Sequence, residues 1–95
     1  LKEKKYNRAL PLLIRNTKYD YRNPLMRAES HLWLGRCLDL LHRRYDALKE
    51  YNIAANIDAP PVSTAAARHK DKPFKAYQLF NVSPELIVGT VLAKY

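Results

Sequence analysis

Glycine is scarce in this chain, with only Gly35 and Gly89 among 95 residues. That scarcity excludes a glycine-rich phosphate cradle. It also argues against a turn-rich sheet protein, even with six prolines present. Cysteine is limited to Cys37, so no intrachain disulfide can form and no cysteine cluster can hold a metal. Cys37 lies in an apolar run and reads as a small hydrophobe. Long apolar runs are missing too. The longest, Leu86 to Ala93, is interrupted by Gly89 and Thr90 and falls well short of the ~20 residues a membrane span needs. No signal peptide is visible, which favours the cytoplasm. The chain begins at Leu1 in mid-pattern, so the expectation is that N-terminal sequence is missing.

Acid is also in short supply: nine Asp and Glu face 17 Lys and Arg, for a net charge of +8. The excess is uneven. Residues 1–27 carry eight bases and two acids, residues 28–58 four and five, and residues 59–95 five and two. Basic flanks can meet nucleic acid, anionic lipid or an acidic protein, and they can equally be solvated surface. At 47% hydrophobic and 27% charged the composition is that of a soluble globular protein. The length allows one domain with a small core.

What is there is helical periodicity. Tyr6, Ala9, Leu10, Leu13 and Ile14 fall at helical spacing. Pro11 sits inside that pattern, where it removes a hydrogen bond at a cost of about 3 kcal/mol, so the spacing predicts a kinked helix or a later start. Thr17 to Pro24 is polar and aromatic and reads as a loop. From Met26 to Leu41 two apolar stripes lie side by side, predicting a helix buried between neighbours. A further helix is predicted from Tyr45 to about Ile57, ended by Ala59-Pro60-Pro61. An alanine-rich helix follows over Val62–Lys70, with Ser63 or Thr64 near its start and Lys72-Pro73 ending it. Ser83-Pro84-Glu85 has the form of a helix start, an N-cap followed by proline at the first helical position, for a last helix to about Lys94.

Residues 28–58, AESHLWLGRCLDLLHRRYDALKEYNIAANID, resemble one tetratricopeptide repeat, a helix–turn–helix unit of about 34 residues. Leu34-Gly35, Ala47, Tyr51, Ala54 and Asp58 carry the likeness, with Pro60 just beyond. Gly35, Ala47 and Ala54 are small enough to let paired helices approach. Leu34, Leu38, Leu48 and Tyr51 fill the space around them. Tyr6-Asn7-Arg8-Ala9-Leu10 resembles the second helix of a preceding repeat. The chain departs from the family pattern at His31, where an aromatic is usual and Trp33 stands two residues away, and at His42, where a glycine usually joins the helices. The link from the first partial repeat is about five residues longer than the family period.

The resemblance implies an all-α, right-handed stack of antiparallel helix pairs. Its divisions are a partial repeat and loop at 1–27, a complete repeat at 28–61 and a helical tail at 62–95. It also implies that Glu29, Leu32, Arg36 and Asp39 on the first helix line a groove for a protein or peptide partner. Stable stacks need about three repeats. The chain is therefore expected to borrow cover from a second copy or from the rest of a longer chain, since Tyr6, Leu10, Leu13 and Ile14 have no preceding helix over them.

Catalytic signals are few. His31, His42 and His69 lack metal-ligand spacing and an acidic partner at a telling offset, and read as surface or packing histidines. No HExxH, GxSxG, P-loop or GxGxxG occurs. Cys37 and His42, five apart on a helix, point away from one another. Asn81-Val82-Ser83 fits a glycosylation pattern, but Pro84 follows directly and nothing indicates secretion. No cofactor or metal is expected. The leading expectation is a protein-interaction scaffold. An accessory helical domain of a larger enzyme comes second, and a basic nucleic-acid-binding module third, since no nucleic-acid motif is present.

Overall fold

A computed structural model describes residues 2–79, and within them the chain is all-α. Four helices follow in order: α1 (Lys2–Thr17), α2 (Pro24–Leu40), α3 (Arg44–Ala55) and α4 (Val62–Asp71). A short 3-10 turn, Ala76–Leu79, ends the described chain. The helix expected from Pro84 onward, with its Ser83 cap, lies outside the described residues.

α1 starts at Lys2 and continues through Pro11, so the later start is not taken. The hydrogen bond Pro11 cannot make would have gone to the Asn7 carbonyl. Both residues are exposed, so water takes that carbonyl and the helix continues. The opposite face, Tyr6, Ala9, Leu13 and Asn16, is buried and packs on α2. The expectation that α1 lacks cover is thus corrected for Tyr6 and Leu13, which are 6% and 3% exposed. α2 itself supplies their cover, and Ile14, at 41% exposed, remains open.

α2 starts earlier than its apolar stripe suggests. Asn23 is the N-cap, its Oδ1 accepting from the Leu25 N–H at 2.9 Å, and Pro24 takes the first helical position. Buried residues surround much of the helix, from Ala28, Leu32 and Leu34 to Cys37 and Leu38. It is a central helix, packed on α3 most extensively and on α1 and α4 besides. Its end is a Schellman turn. The Arg43 N–H reaches the Leu38 carbonyl at 2.8 Å and the His42 N–H reaches Asp39 at 3.0 Å. His42, with φ of 60°, holds the left-handed position that favours glycine.

Small residues set the α2–α3 distance. A Cβ on Gly35 would lie 2.6 Å from Cε1 of Tyr51. Tyr51, Ala47 and Ala54 are fully buried. Leu48, expected among the core leucines, is only half-buried. α4 then packs on α3 and more lightly on α2, through Ala65, Ala66 and His69. Lys72 turns extended, and Phe74 returns to the core at 4% exposed.

Candidate functional site

The inner face of α2 is where the chain's unusual polar groups gather. The groove expected along Glu29, Leu32, Arg36 and Asp39 is not an open one. Leu32 is 4% exposed within the core, and the Asp39 side chain is 1% exposed. Glu29 and Arg36 are half-buried. Over Arg36 and Asp39 the cover comes from α3, α4 and the segment after it, residues far along the chain, which no local pattern in α2 could announce.

Asp39 organises the face. Its Oδ2 accepts from the Tyr51 hydroxyl at 2.7 Å and from the Phe74 backbone N–H at 2.9 Å. Arg44 Nη1 adds an ion pair at 3.1 Å to the same oxygen and 3.2 Å to Oδ1. A buried carboxylate is tolerable because it is paired and fully hydrogen-bonded. Arg44 Nη2 donates onward to the His69 and Lys70 carbonyls at 2.7 and 2.8 Å. These carbonyls end α4, where a cation also suits the helix dipole. One guanidinium therefore ties α4 to the carboxylate of α2, a task its planar fork suits.

Arg36 has a different setting. Its guanidinium carbon lies 4.5 Å from the Trp33 ring centre and 4.9 Å from that of Phe74. Its Nε donates to His69 Nε2 at 3.1 Å. Burial lowers the Arg36 pKa. Two aromatic faces stabilise the half-buried charge by cation–π attraction. His69 is 8% exposed and lies between Tyr51, 5.2 Å away, and the edge of Phe74 at 5.4 Å. Burial, then the Arg36 charge, lower its pKa. Burial first, then the hydrogen bond to Asp39, raise that of Tyr51.

Phe74 thus enters a socket made by Trp33, Arg36 and His69, with its main-chain N–H fixed on Asp39. Beside it a cleft of about 420 Å³ runs between Glu3 and Tyr6 of α1, Leu40 and His42 at the end of α2, and Pro73 to Ala76.

The remaining candidates lie apart. His31 pairs with Glu50 of α3 at 2.8 Å, a partner 19 residues away that offset reasoning missed. Exposed His42 lies 3.8 Å from Glu3. Cys37 is buried, its Sγ donating to the Tyr6 carbonyl at 3.4 Å, and burial pushes its thiol up to about 11. Among the described residues no group of three His, Cys, Asp or Glu could hold a metal ion, and no helix is long and apolar enough to cross a membrane. Arg44 and Phe74 are not among the sequence candidates, and His69 reads there only as a surface or packing histidine. The available signal was Phe74 itself, an aromatic placed directly after the break at Lys72-Pro73. The chain matches no protein-family model, no curated protein and no solved structure.

Proposed function

We propose that the chain is a binding module of the tetratricopeptide type, acting by holding a protein segment and not by catalysis. In this reading α2 and α3 are one helix–turn–helix unit, and α1 and α4 are halves of its neighbours. The packing of α4 on both α3 and α2 supports the stack, as does the close approach of Gly35 to Tyr51.

The observation that carries the reading is the way Phe74 is held. An aromatic anchor fills a socket on α2, and a backbone N–H bonds a buried carboxylate. Anchors of that kind dominate the energetics of protein interfaces, and backbone contacts to an extended segment add affinity without sequence demand. Here the segment is the chain's own Lys72 to Lys75. The partner is then a protein segment with an aromatic residue in extended conformation, which takes the resident segment's place.

Peptide selection tests this. Random peptides are selected at pH 7.5 on the chain carrying Phe74→Leu, whose resident anchor is weakened, and are counter-screened on the same chain with Arg36→Gln added. Aromatic-containing peptides that lose at least tenfold in affinity on the Arg36→Gln protein are expected. Peptides that bind both proteins equally, or no enrichment at all, would overturn the assignment.

A further inference from the structure

We infer that His69 is an acid-sensitive latch, holding α4 and the Lys72 to Lys75 segment over α2 when neutral and releasing them when its ring takes a second proton. The consequence for partner binding rests on the interaction reading above. The release itself does not.

The geometry requires a neutral ring. Arg36 Nε donates to His69 Nε2 at 3.1 Å, and only an unprotonated nitrogen has the lone pair to accept. The neutral ring therefore carries its proton on Nδ1. Protonation would remove the acceptor and set a second cation against the Arg36 guanidinium, in a place where the ring is 8% exposed and little water can screen them.

Charged and titratable groups face His69 from every helix packed around it. From α2, Arg36 opposes a proton and Asp39 favours it. From α3, Tyr51 lies against the ring, and Arg44 bonds the His69 carbonyl. Within α4, Arg68 opposes the proton, while a hydrogen bond with the Lys72 backbone favours it. The favourable side is limited, because the Asp39 carboxylate already serves Tyr51, Phe74 and Arg44. Burial and the two guanidiniums prevail, and the pKa lies below its ordinary 6.5.

What gives way is α4 and the segment after it. Four ties fasten them here: Arg36 to His69, Arg44 to the His69 and Lys70 carbonyls, and Asp39 to the Phe74 N–H. α4 has ten residues, fewer than the ~12–15 a helix needs to persist alone. The sign follows from linkage. A base with a depressed folded pKa favours the closed state fully above 6.5, and that preference is lost as pH falls. The open-to-closed ratio rises about tenfold per pH unit between 6.5 and the lowered value.

Amide hydrogen exchange on the full chain reads this directly, since the Phe74 N–H bonds Asp39 only when the segment is closed. After correction for intrinsic rates, Phe74 protection should fall about tenfold per pH unit below 6.5, while Ala47 and Ala54 in α3 stay protected. His69→Gln, whose carbonyl can still accept from Arg36, should remove the slope. In the unaltered chain, ring titration by NMR of the three histidines supplies a second measure: the loss at Phe74 must share its midpoint with His69. Flat Phe74 protection, an unchanged slope in His69→Gln, or a midpoint matching His31 or His42 would each overturn the latch. A failed peptide selection at pH 7.5 would sink the interaction reading while leaving the latch intact.

Discussion

Replacing Gly35 with alanine sets two opposing effects against one another. In an exposed helix the change would stabilise by about 0.8–1 kcal/mol, because glycine is a poor helix former. Here the new methyl would meet Tyr51 at 2.6 Å from Cε1, 2.8 Å from Cδ1 and 3.1 Å from Cζ, all inside van der Waals contact. The ring is fully buried, and its hydroxyl is fixed on Asp39 at 2.7 Å. Overpacking of a tight core costs about 1–3 kcal/mol. Weakening a hydrogen bond to a carboxylate adds part of another 1.5–3 kcal/mol. With the propensity gain subtracted, Gly35→Ala should destabilise by about 2 kcal/mol. That corresponds to a Tm lowered by roughly 8–16 °C for a chain of this size. Thermal and urea melts followed by helical circular dichroism measure it. In a double-mutant cycle with Tyr51→Leu, the penalty should shrink by at least ~1 kcal/mol, the signature of direct contact. A Gly35→Ala protein as stable as its parent, or more so, would refute the reasoning.

His42 holds a left-handed conformation with its side chain 82% exposed. His42→Gly should therefore raise stability by roughly 0.5–1 kcal/mol, the relieved strain less glycine's entropy, and an unchanged melt would count against the turn described here. Arg44→Lys keeps the charge but loses the fork between Asp39 and the end of α4, so a loss of about 1–2 kcal/mol is expected. Hydrogen exchange should show it concentrated in α4, and a uniform loss across all helices would contradict the role given to Arg44. Exposed Lys4, Lys5, Lys70, Lys72 and Lys75 should give only weak association with RNA or duplex DNA that vanishes by physiological salt, since counterion release drives it. Micromolar binding that survives such salt, measured by fluorescence anisotropy, would rank the nucleic-acid reading first.

Much of the helical frame was legible because it is written in local spacing. The stripes of α2 and the spacing of Ala47, Tyr51 and Ala54 in α3 repeat from one turn of a helix to the next. Asn23-Pro24 is equally local, but it closes a polar, aromatic stretch and so reads as the end of a loop, although it caps and opens α2. The inner face was not legible. Whether Asp39 meets solvent depends on partners outside α2, and it meets Phe74 across 35 residues. Periodicity carries no information at that separation. His69 looked ordinary for the same reason, since Arg36, its hydrogen-bond donor, stands 33 residues away. Pro11 shows the converse: a local rule allows a late start, and with Asn7 exposed the helix nonetheless begins at Lys2 and includes Pro11.

Adding the resident segment back in trans tests most directly whether the α2 face is a peptide socket. In the full chain carrying Phe74→Leu, checked for retained helical circular dichroism, the ring contacts to Trp33, Arg36 and His69 are lost. This chain is titrated with a peptide of residues 70–78 bearing the native Phe74. Trp33, the single tryptophan, reports binding by fluorescence. Tethered segments act at effective concentrations of about a millimolar, so half-saturation below roughly that level is expected. The same peptide with Phe74→Leu should bind about tenfold more weakly, the difference one buried anchor makes. Saturable binding that depends on the phenylalanine would support the account. No saturation, or equal binding of the two peptides, would contradict it.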